Sequence, residues 1–329
     1  MLVRSEILFA CLAGLLVSGA AMAAPPADPS STLTLQLEND FLVPNSDRYY
    51  TNGVRIGYTS PTGKVPDFMN AFGEAVLGPG QRRYGIDLQQ YMFTPYLTSS
   101  PNPPLTDRPY AGILMGQLSL IQDTDDTRTI LSAGLGVIGP AALAKQAQDT
   151  VHFILGQSQS HGWSTQIPNQ PVVQLSADRI WRIKGPSFGL LESDLLPSLS
   201  GGIGTFRIYG QAGAQIRFGQ GLESDFGAPR MRPGLTGGDA YVQTRPFAWY
   251  VFLGVDGQLV GWDETLDGTP FGASRHVTRI PYVGELQAGA VLMAWGMRFT
   301  AAHVVRSEEF TNQRKGAFQF DTFSVSFKF

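Results

Sequence analysis

The C-terminal end of the chain alternates strictly between apolar and polar side chains. Residues 323–329 read Phe-Ser-Val-Ser-Phe-Lys-Phe. A period of two is the side-chain period of a β-strand with one apolar and one polar face. A last strand of this kind that ends on an aromatic residue is typical of a bacterial outer-membrane β-barrel. This feature limits the fold more than any other in the sequence.

The same alternation recurs along the chain. Leucines occupy positions 33, 35 and 37, and polar residues occupy the even positions from 34 to 40. Together the candidate strands number twelve, each of about the length that crosses a tilted barrel wall: 32–41, 51–60, 84–94, 111–121, 128–138, 172–183, 189–200, 205–218, 246–260, 278–290, 293–305 and 318–329. The pattern predicts an all-β fold, a 12-stranded antiparallel transmembrane β-barrel. A hidden strand pair in residues 219–245 would make it fourteen-stranded.

Composition supports a membrane barrel. Only 16% of residues are charged, while the chain holds 38 Gly, 20 Phe and 11 Tyr. The mean hydropathy is −0.04, and no long apolar run follows residue 23. A net charge of −3 gives no reason to expect a nucleic-acid partner.

The N-terminus resembles a secretory leader. Arg4 precedes an apolar stretch over residues 7–20, which ends in Ala-Met-Ala. We therefore expect residues 1–23 to be a signal peptide and residues 24–329 to form the barrel in the outer membrane. Cys11, the only cysteine, falls within the leader, so the mature chain has no disulfide.

One segment breaks the strand pattern. Residues 140–156 begin with Pro, continue with Ala, Leu, Lys and Gln, and end with Gly, which predicts a helix in an extracellular loop. At 100° per residue, apolar and polar positions separate onto opposite sides: Leu143, Ala147, Thr150 and Ile154 on one, Lys145, Gln148 and His152 on the other.

Strand direction predicts where the polar residues meet. With a periplasmic N-terminus, the loops after the first, third and fifth strands lie outside the cell. Asp40, Thr51 and His152 then share the outer end of the barrel. The alternation predicts that Asp40 and Thr51 face inward. Asn39 has the opposite parity and joins them only through a bulge or the strand end.

These residue types suit ester hydrolysis. His152 is a candidate general base, because imidazole exchanges protons near neutral pH. Asp40 is a candidate ligand for a hard cation such as Ca²⁺, which stabilises an oxyanion. Asn39, Thr51 and Gln148 are candidates to orient substrate or water. The same residues also suit a structural interpretation, in which they line a lumen, form turns or pack under loops. Chemistry alone leaves an enzyme and a porin-like barrel equally open.

Several motifs, taken together and in order, resemble the lipid A deacylase family LpxR. They are Glu38-Asn39-Asp40, residues 46–53 (Ser-Asp-Arg-Tyr-Tyr-Thr-Asn-Gly), residues 107–112 (Asp-Arg-Pro-Tyr-Ala-Gly), residues 137–140 (Val-Ile-Gly-Pro), Gln148-x-x-x-His152 with Gly156, and Gly162-Trp163-x-x-Gln166. The resemblance implies a twelve-stranded outer-membrane barrel that removes the 3′-linked acyloxyacyl group of lipid A and needs Ca²⁺. It also implies a site near the outer leaflet, between the barrel wall and a helix-bearing loop.

Carried over position by position, the resemblance implies the following site. The base is His152, the paired amide and carboxylate are Asn39 and Asp40, and Thr51 and Gln148 complete the set. Asp40 is the implied calcium ligand, and lipopolysaccharide is the implied partner.

Two departures concern the loops. Residues 93–106 contain no Lys or Arg where some members carry a basic residue, which weakens the expectation of a phosphate or oxyanion contact there and leaves Arg108 as a candidate substitute. Residues 156–171 contain no acidic residue, which weakens the expectation of calcium. The alternatives are a catalytically silent barrel, acting as a channel or scaffold, and a phospholipase-type barrel.

Overall fold

The computed structural model describes residues 26–40, 48–156, 158–231, 239–314 and 316–329. The predicted leader lies outside these residues, as does part of the loop after residue 40. Among the described residues, every helix is too short or too polar to cross a bilayer.

Thirteen strands are present in the described part of the chain: β1 (Thr32–Asn39), β2 (Tyr49–Thr59), β3 (Gln81–Thr94), β4 (Ala111–Asp123), β5 (Thr127–Ile138), β6 (Gln170–Trp181), β7 (Ile183–Phe188), β8 (Leu191–Gly204), β9 (Arg207–Gln220), β10 (Phe247–Asp263), β11 (Tyr282–Ala294), β12 (Met297–Arg306) and β13 (Phe318–Lys328). Nine of the twelve strand predictions overlap a single observed strand closely. The predicted strands at 278–290 and 293–305 each begin four residues early, and the one at 172–183 is too short.

The sheet closes into a twelve-stranded barrel. Each strand pairs antiparallel with its neighbours, and β1 pairs with β13. Strands β6 and β7 act as one wall strand, because β6 pairs with residues 198–204 of β8 and β7 pairs with residues 191–195. Only Arg182 separates the two. The predicted all-β barrel of twelve antiparallel strands is confirmed.

The alternation along the strands sorts side chains between the lumen and the exterior. In β1, Thr34, Gln36 and Glu38 are buried, whereas Leu35 and Leu37 are exposed. The exposed apolar residues form the band that faces the membrane in a transmembrane barrel. We call the end of the barrel at which β1 stops and β2 starts the outer end.

The connection between β9 and β10 fills the lumen instead of adding strands. Within its described part, the backbone N–H of Met231 donates to Glu38 Oε1 at 2.9 Å. Arg55 pairs with Asp239 of the same connection at 2.6 Å and with Asp87 of the wall at 2.7 Å. The described residues of 219–245 therefore do not support the fourteen-stranded alternative.

Within the described residues, three α-helices lie in connections between strands: α1 (Asp67–Leu77), α2 (Ala144–Leu155) and the short α3 (Glu264–Asp267). The predicted helix over 140–156 is present, but its first turn is a separate 3-10 helix, Pro140–Ala142. Leu143, in the left-handed conformation with φ 59°, joins this turn to α2. Helix α1, which the sequence pattern did not predict, connects β2 to β3 at the end opposite the outer end.

Candidate active site

Helix α2 packs on the exterior of the barrel, at the outer ends of β3 and β4. Leu88 and Leu118 are exposed, so even-numbered residues of both strands face outward. Gly112 belongs to this outward set, and a Cβ built on it would lie only 2.4 Å from Ala144 Cβ of α2. Gln90, another outward residue, donates from Nε2 to the carbonyl oxygen of Ala142 at 2.7 Å. The helix therefore covers the membrane-facing side of the wall.

The residues of α2 that face the wall include the two candidate catalytic side chains. Ala144, Gln148 and His152, spaced four apart, are all buried. Met92, Tyr110 and Trp163 form an apolar cluster with Ala144. Lys145, which the helical periodicity groups with Gln148 and His152, is instead exposed and pairs with Asp149.

Hydrogen bonds fix both candidate side chains. His152 Nδ1 lies 2.7 Å from the carbonyl oxygen of Ser158. A carbonyl oxygen only accepts, so Nδ1 carries the proton and the neutral ring keeps its basic lone pair on Nε2. Gln148 Oε1 accepts from Trp163 Nε1 at 2.7 Å. This bond sets the orientation of the amide and assigns its Nε2 end as a donor on the opposite side.

Asn39 faces the exterior, as its parity with Leu37 predicts. It is half-buried, at the end of β1. Its Nδ2 donates to the carbonyl oxygen of Thr51 at 3.1 Å. Because α2 also lies on the exterior, the outward parity of Asn39 places it on the same side of the wall as His152.

Thr51 departs from the predicted inward orientation because β2 bulges there. Tyr50 pairs with Phe93 and Asn52 with Met92, which leaves Thr51 as the extra residue. Thr51 Oγ1 lies 2.7 Å from Oγ1 of Thr94, which belongs to the outward set of β3. Thr51 therefore turns to the exterior with Asn39, and the prediction that it faces the lumen was wrong.

Asp40 lies one residue beyond the end of β1 and is buried. Its Oδ2 accepts from the backbone N–H of Arg48 at 2.8 Å, across the base of the loop. The carboxylate is thus held where β1 and β2 join.

The loop between β3 and β4 connects the strand residues to the helix. It follows directly on Thr94, the partner of Thr51. Farther along, the carbonyl oxygen of Thr98 accepts from Tyr110 Oη at 3.1 Å and from the backbone N–H of His161 at 2.9 Å. We call this outer end of β1 to β4 the exterior rim, with Asn39 and Thr51 on one side of the loop and Gln148 and His152 of α2 on the other.

Arg108 does not take the place of the missing basic residue. Its guanidinium pairs with Glu309 and donates to Thr265 Oγ1 at 2.7 Å. It also lies 4.3 Å from the ring centre of Phe93, whose parity is inward. Arg108 is fully buried on the lumen side, so the expectation that it serves the site was wrong.

A carboxyl group that no sequence motif singled out lies in the outer loops. Glu264, the first residue of α3, is completely buried, and neither carboxylate oxygen has a hydrogen-bond partner. Burial, reinforced by the neighbouring charge of Asp263, raises the pKa of Glu264 to about 8. Isolated glutamates are unremarkable in a sequence, so only the structure reveals this one.

The site can be described chemically. It offers an imidazole with a basic Nε2 and amide groups on the membrane-facing side of a barrel, with the carboxylate of Asp40 at the junction of β1 and β2. Within the described ranges, no three or more His, Cys, Asp or Glu side chains gather in a group that would hold a metal ion.

Solved structures provide a comparison for the fold. LpxR from Salmonella typhimurium aligns with a TM-score of 0.74 and 20% identity, over 91% of this chain and 100% of that chain. The beta domain of the Bordetella autotransporter BrkA aligns with a TM-score of 0.42 and 11% identity, over 92% of this chain and 99% of that chain. The first likeness supports the barrel architecture, and the second is too low to carry an argument.

Sequence comparison assigns the family. No curated protein matches this sequence. The family model described as "Outer membrane protein LpxR" matches residues 7–329, so the chain belongs to the LpxR family of outer-membrane β-barrel proteins.

Proposed function

We propose that this protein is an outer-membrane lipid A deacylase that hydrolyses the 3′-linked acyloxyacyl ester of lipid A. Membership of the LpxR family supports this activity. The position of the candidate site supports it as well, because the rim lies on the face of the wall that contacts lipid. A glycolipid of the outer leaflet reaches such a site by lateral diffusion, with its ester near the level of the strand ends.

The observation that carries the proposal is the 2.7 Å contact between His152 Nδ1 and the carbonyl oxygen of Ser158, from which we assign the proton to Nδ1. With Nδ1–H bound to Ser158 O, Nε2 removes a proton from a water molecule as that water attacks the ester carbonyl carbon. The tetrahedral intermediate collapses by breaking the bond to the sugar oxygen. The protonated Nε2 returns its proton to that oxygen. One water is consumed, and the products are the acid and the free sugar hydroxyl.

The other residues of the rim position the reactants in this proposal. Gln148, oriented by Trp163, donates from Nε2 toward the substrate or the oxyanion. Asn39 and Thr51 hold the bulged end of β2 and present polar atoms on the same exterior side. Preorganised donors of this kind stabilise developing charge without reorganisation.

The residues at the site offer the type of oxygen ligand that binds a calcium ion. Asp40 provides a carboxylate, and Asn39 and Thr51 provide amide, carbonyl and hydroxyl oxygens, which are the ligands that Ca²⁺ prefers. A bound calcium ion would supply polarisation of the ester carbonyl and stabilisation of the oxyanion. Asp40 is then the principal protein ligand, and His152 stays a base because its Nδ1 is occupied by a backbone carbonyl.

The filled lumen favours an enzyme over a channel. Arg55, Glu38 and the wall around them bond to Met231 and Asp239 of the β9–β10 connection. These contacts cross the space that a pore would need.

Variants of His152 test the proposal directly. We expect purified His152→Ala, refolded into lipid, to release no acyl group from lipid A while the barrel still folds. Mass spectrometry of lipid A and of glycerophospholipids after expression separates a lipid A deacylase from a phospholipase. Deacylation by His152→Ala at the wild-type rate would refute the mechanism. Activity unchanged by chelation of calcium would refute the role of Asp40 as a ligand.

A further inference from the structure

Helix α2 exposes apolar side chains while burying polar ones. Gln148 and His152 face the wall, yet Ile154 is 72% exposed, Leu143 51% and Val151 43%. This inverts the arrangement of a helix in water, where apolar residues turn toward the protein. Something other than water is therefore expected to cover this surface.

Three of the four exposed apolar residues lie together on one flank of the helix, and the fourth, Phe153, lies on the side opposite the wall. Taking the buried Ala144 as the direction of the wall, Leu143, Val151 and Ile154 fall between about 20° and 100° to one side of it, at 100° per residue. The opposite flank carries the ion pair of Lys145 and Asp149. The helix thus has a wall-facing stripe with an apolar flank on one side and a charged flank on the other.

The apolar flank adjoins the membrane-facing band of the barrel. Helix α2 sits on the exterior at Gly112 and Gln90, and the same faces of β3 and β4 expose Leu88 and Leu118 below it. An amphipathic helix at this level lies in the plane of the membrane interface. Acyl chains then meet the apolar flank, and the head-group region meets the charged flank.

We propose that α2 is an interfacial helix whose apolar flank, Leu143, Val151 and Ile154, binds the acyl chains of outer-leaflet lipids. Its buried stripe carries His152, so a lipid held on the apolar flank is held on the same helix as the candidate base. This last step rests on the proposed deacylase function, whereas the membrane contact does not. The partner is hydrocarbon, supplied by the bilayer in which the barrel sits.

Site-directed fluorescence tests the membrane contact without reference to activity. The chain has one cysteine, so a Cys11→Ser background accepts single labels. Ile154→Cys reports the apolar flank, and Lys145→Cys, also exposed, is the matched control on the charged flank. Each is labelled with an environment-sensitive dye such as NBD. The full chain is reconstituted in phosphatidylcholine vesicles that carry a nitroxide on the acyl chain.

We expect blue-shifted emission and several-fold stronger quenching at position 154 than at position 145. Equal quenching at the two positions, or stronger quenching at position 145, would overturn the proposal.

A second experiment tests the link to catalysis. We expect Val151→Ser/Ile154→Ser to cleave lipid A several-fold more slowly in vesicles than wild type, with little change in detergent micelles. The matched control Lys145→Ser/Gln146→Ser lacks this difference. If the wild type has no deacylase activity, the proposed function fails while the quenching result still decides the membrane contact. Equal loss in vesicles and micelles would overturn the role in guiding acyl chains.

Discussion

The close approach of α2 to the barrel wall makes a sharp prediction about activity. A Cβ on Gly112 would lie 2.4 Å from Ala144 Cβ, whereas carbon atoms in contact are about 3.5–4.0 Å apart. Both atoms sit close to the backbone, so rotamer changes give no relief. In Gly112→Ala the helix must therefore retreat by about 1 Å, and His152 moves with it. The strand itself accepts alanine, because φ at Gly112 is not in the left-handed region.

A displacement of about 1 Å at a catalytic group costs up to about 100-fold in rate. We expect Gly112→Ala to lower kcat/KM for lipid A deacylation by about 10- to 100-fold, or about 1.4–2.7 kcal/mol in activation free energy. The assay is mass-spectrometric quantification of lipid A species with purified protein in mixed micelles. Heat-modifiable migration on gels confirms that the barrel is folded.

Two further variants make the reasoning refutable. Gly116→Ala lies on the same outward face of β4, where the nearest atoms to a new Cβ are 3.9 Å away or more, and should retain full activity. Ala144→Gly removes the opposing methyl group, so Gly112→Ala/Ala144→Gly should recover most of the loss. Wild-type activity in Gly112→Ala, or failure of the double variant to recover, would show that the helix position does not control the site.

Three other measurements follow from individual contacts. Trp163→Phe removes the donor to Gln148 and should lower kcat by up to about tenfold, since such a bond is worth about 0.5–1.5 kcal/mol; an unchanged kcat would contradict a positioning role. Between pH 4.5 and about 8 folded Glu264 keeps a proton that the unfolded chain loses, so the free energy of unfolding falls by about 1.4 kcal/mol per pH unit. Urea titrations should therefore show Glu264→Gln to be more stable than wild type at pH 8 and equally stable at pH 4. If the free energies of unfolding of the two proteins changed in parallel with pH, Glu264 would not be a buried acid with a raised pKa. Asp239→Ala removes a buried carboxylate that pairs with Arg55, so the free energy of unfolding should fall by about 3–5 kcal/mol in the same titrations. A fall of less than about 1 kcal/mol would contradict this prediction.

The strands were predictable because a barrel wall imposes a period of two on every segment that crosses it. Leu35 and Leu37 face lipid, whereas Gln36 and Glu38 face the lumen. Apolar and polar residues therefore alternate along the sequence of the strand. The helix at 140–156 was predictable for a similar reason, since Pro140 and Gly156 mark its ends. Local rules of this kind need no knowledge of the tertiary fold.

Tertiary relations were not predictable in the same way. The bulge at Thr51 depends on how β2 is matched to β3, and one extra residue reverses the face of everything before it. The β9–β10 connection contains turn-like and apolar residues. Such residues are equally compatible with a pair of strands and with a segment that hydrogen-bonds across a lumen. The polar stripe of α2 was recognised, but the sequence does not state on which side of the wall the helix packs.

The side on which α2 packs also explains the parity of Asn39. If the site lay inside the lumen, the wall would separate the outward-facing Asn39 from Asp40 and Thr51. The five candidate residues would then meet only if the strand were distorted. On the exterior, Asn39 is already oriented toward the rim, and the bulge brings Thr51 to it through the 3.1 Å bond from Asn39 Nδ2 to Thr51 O. A lumen site would receive soluble molecules through a pore, and that lumen is bridged by ion pairs such as Arg55 with Asp239. An exterior site receives molecules from the membrane itself. The outward parity of Asn39 is therefore the feature of the sequence that most directly favours a lipid as the substrate.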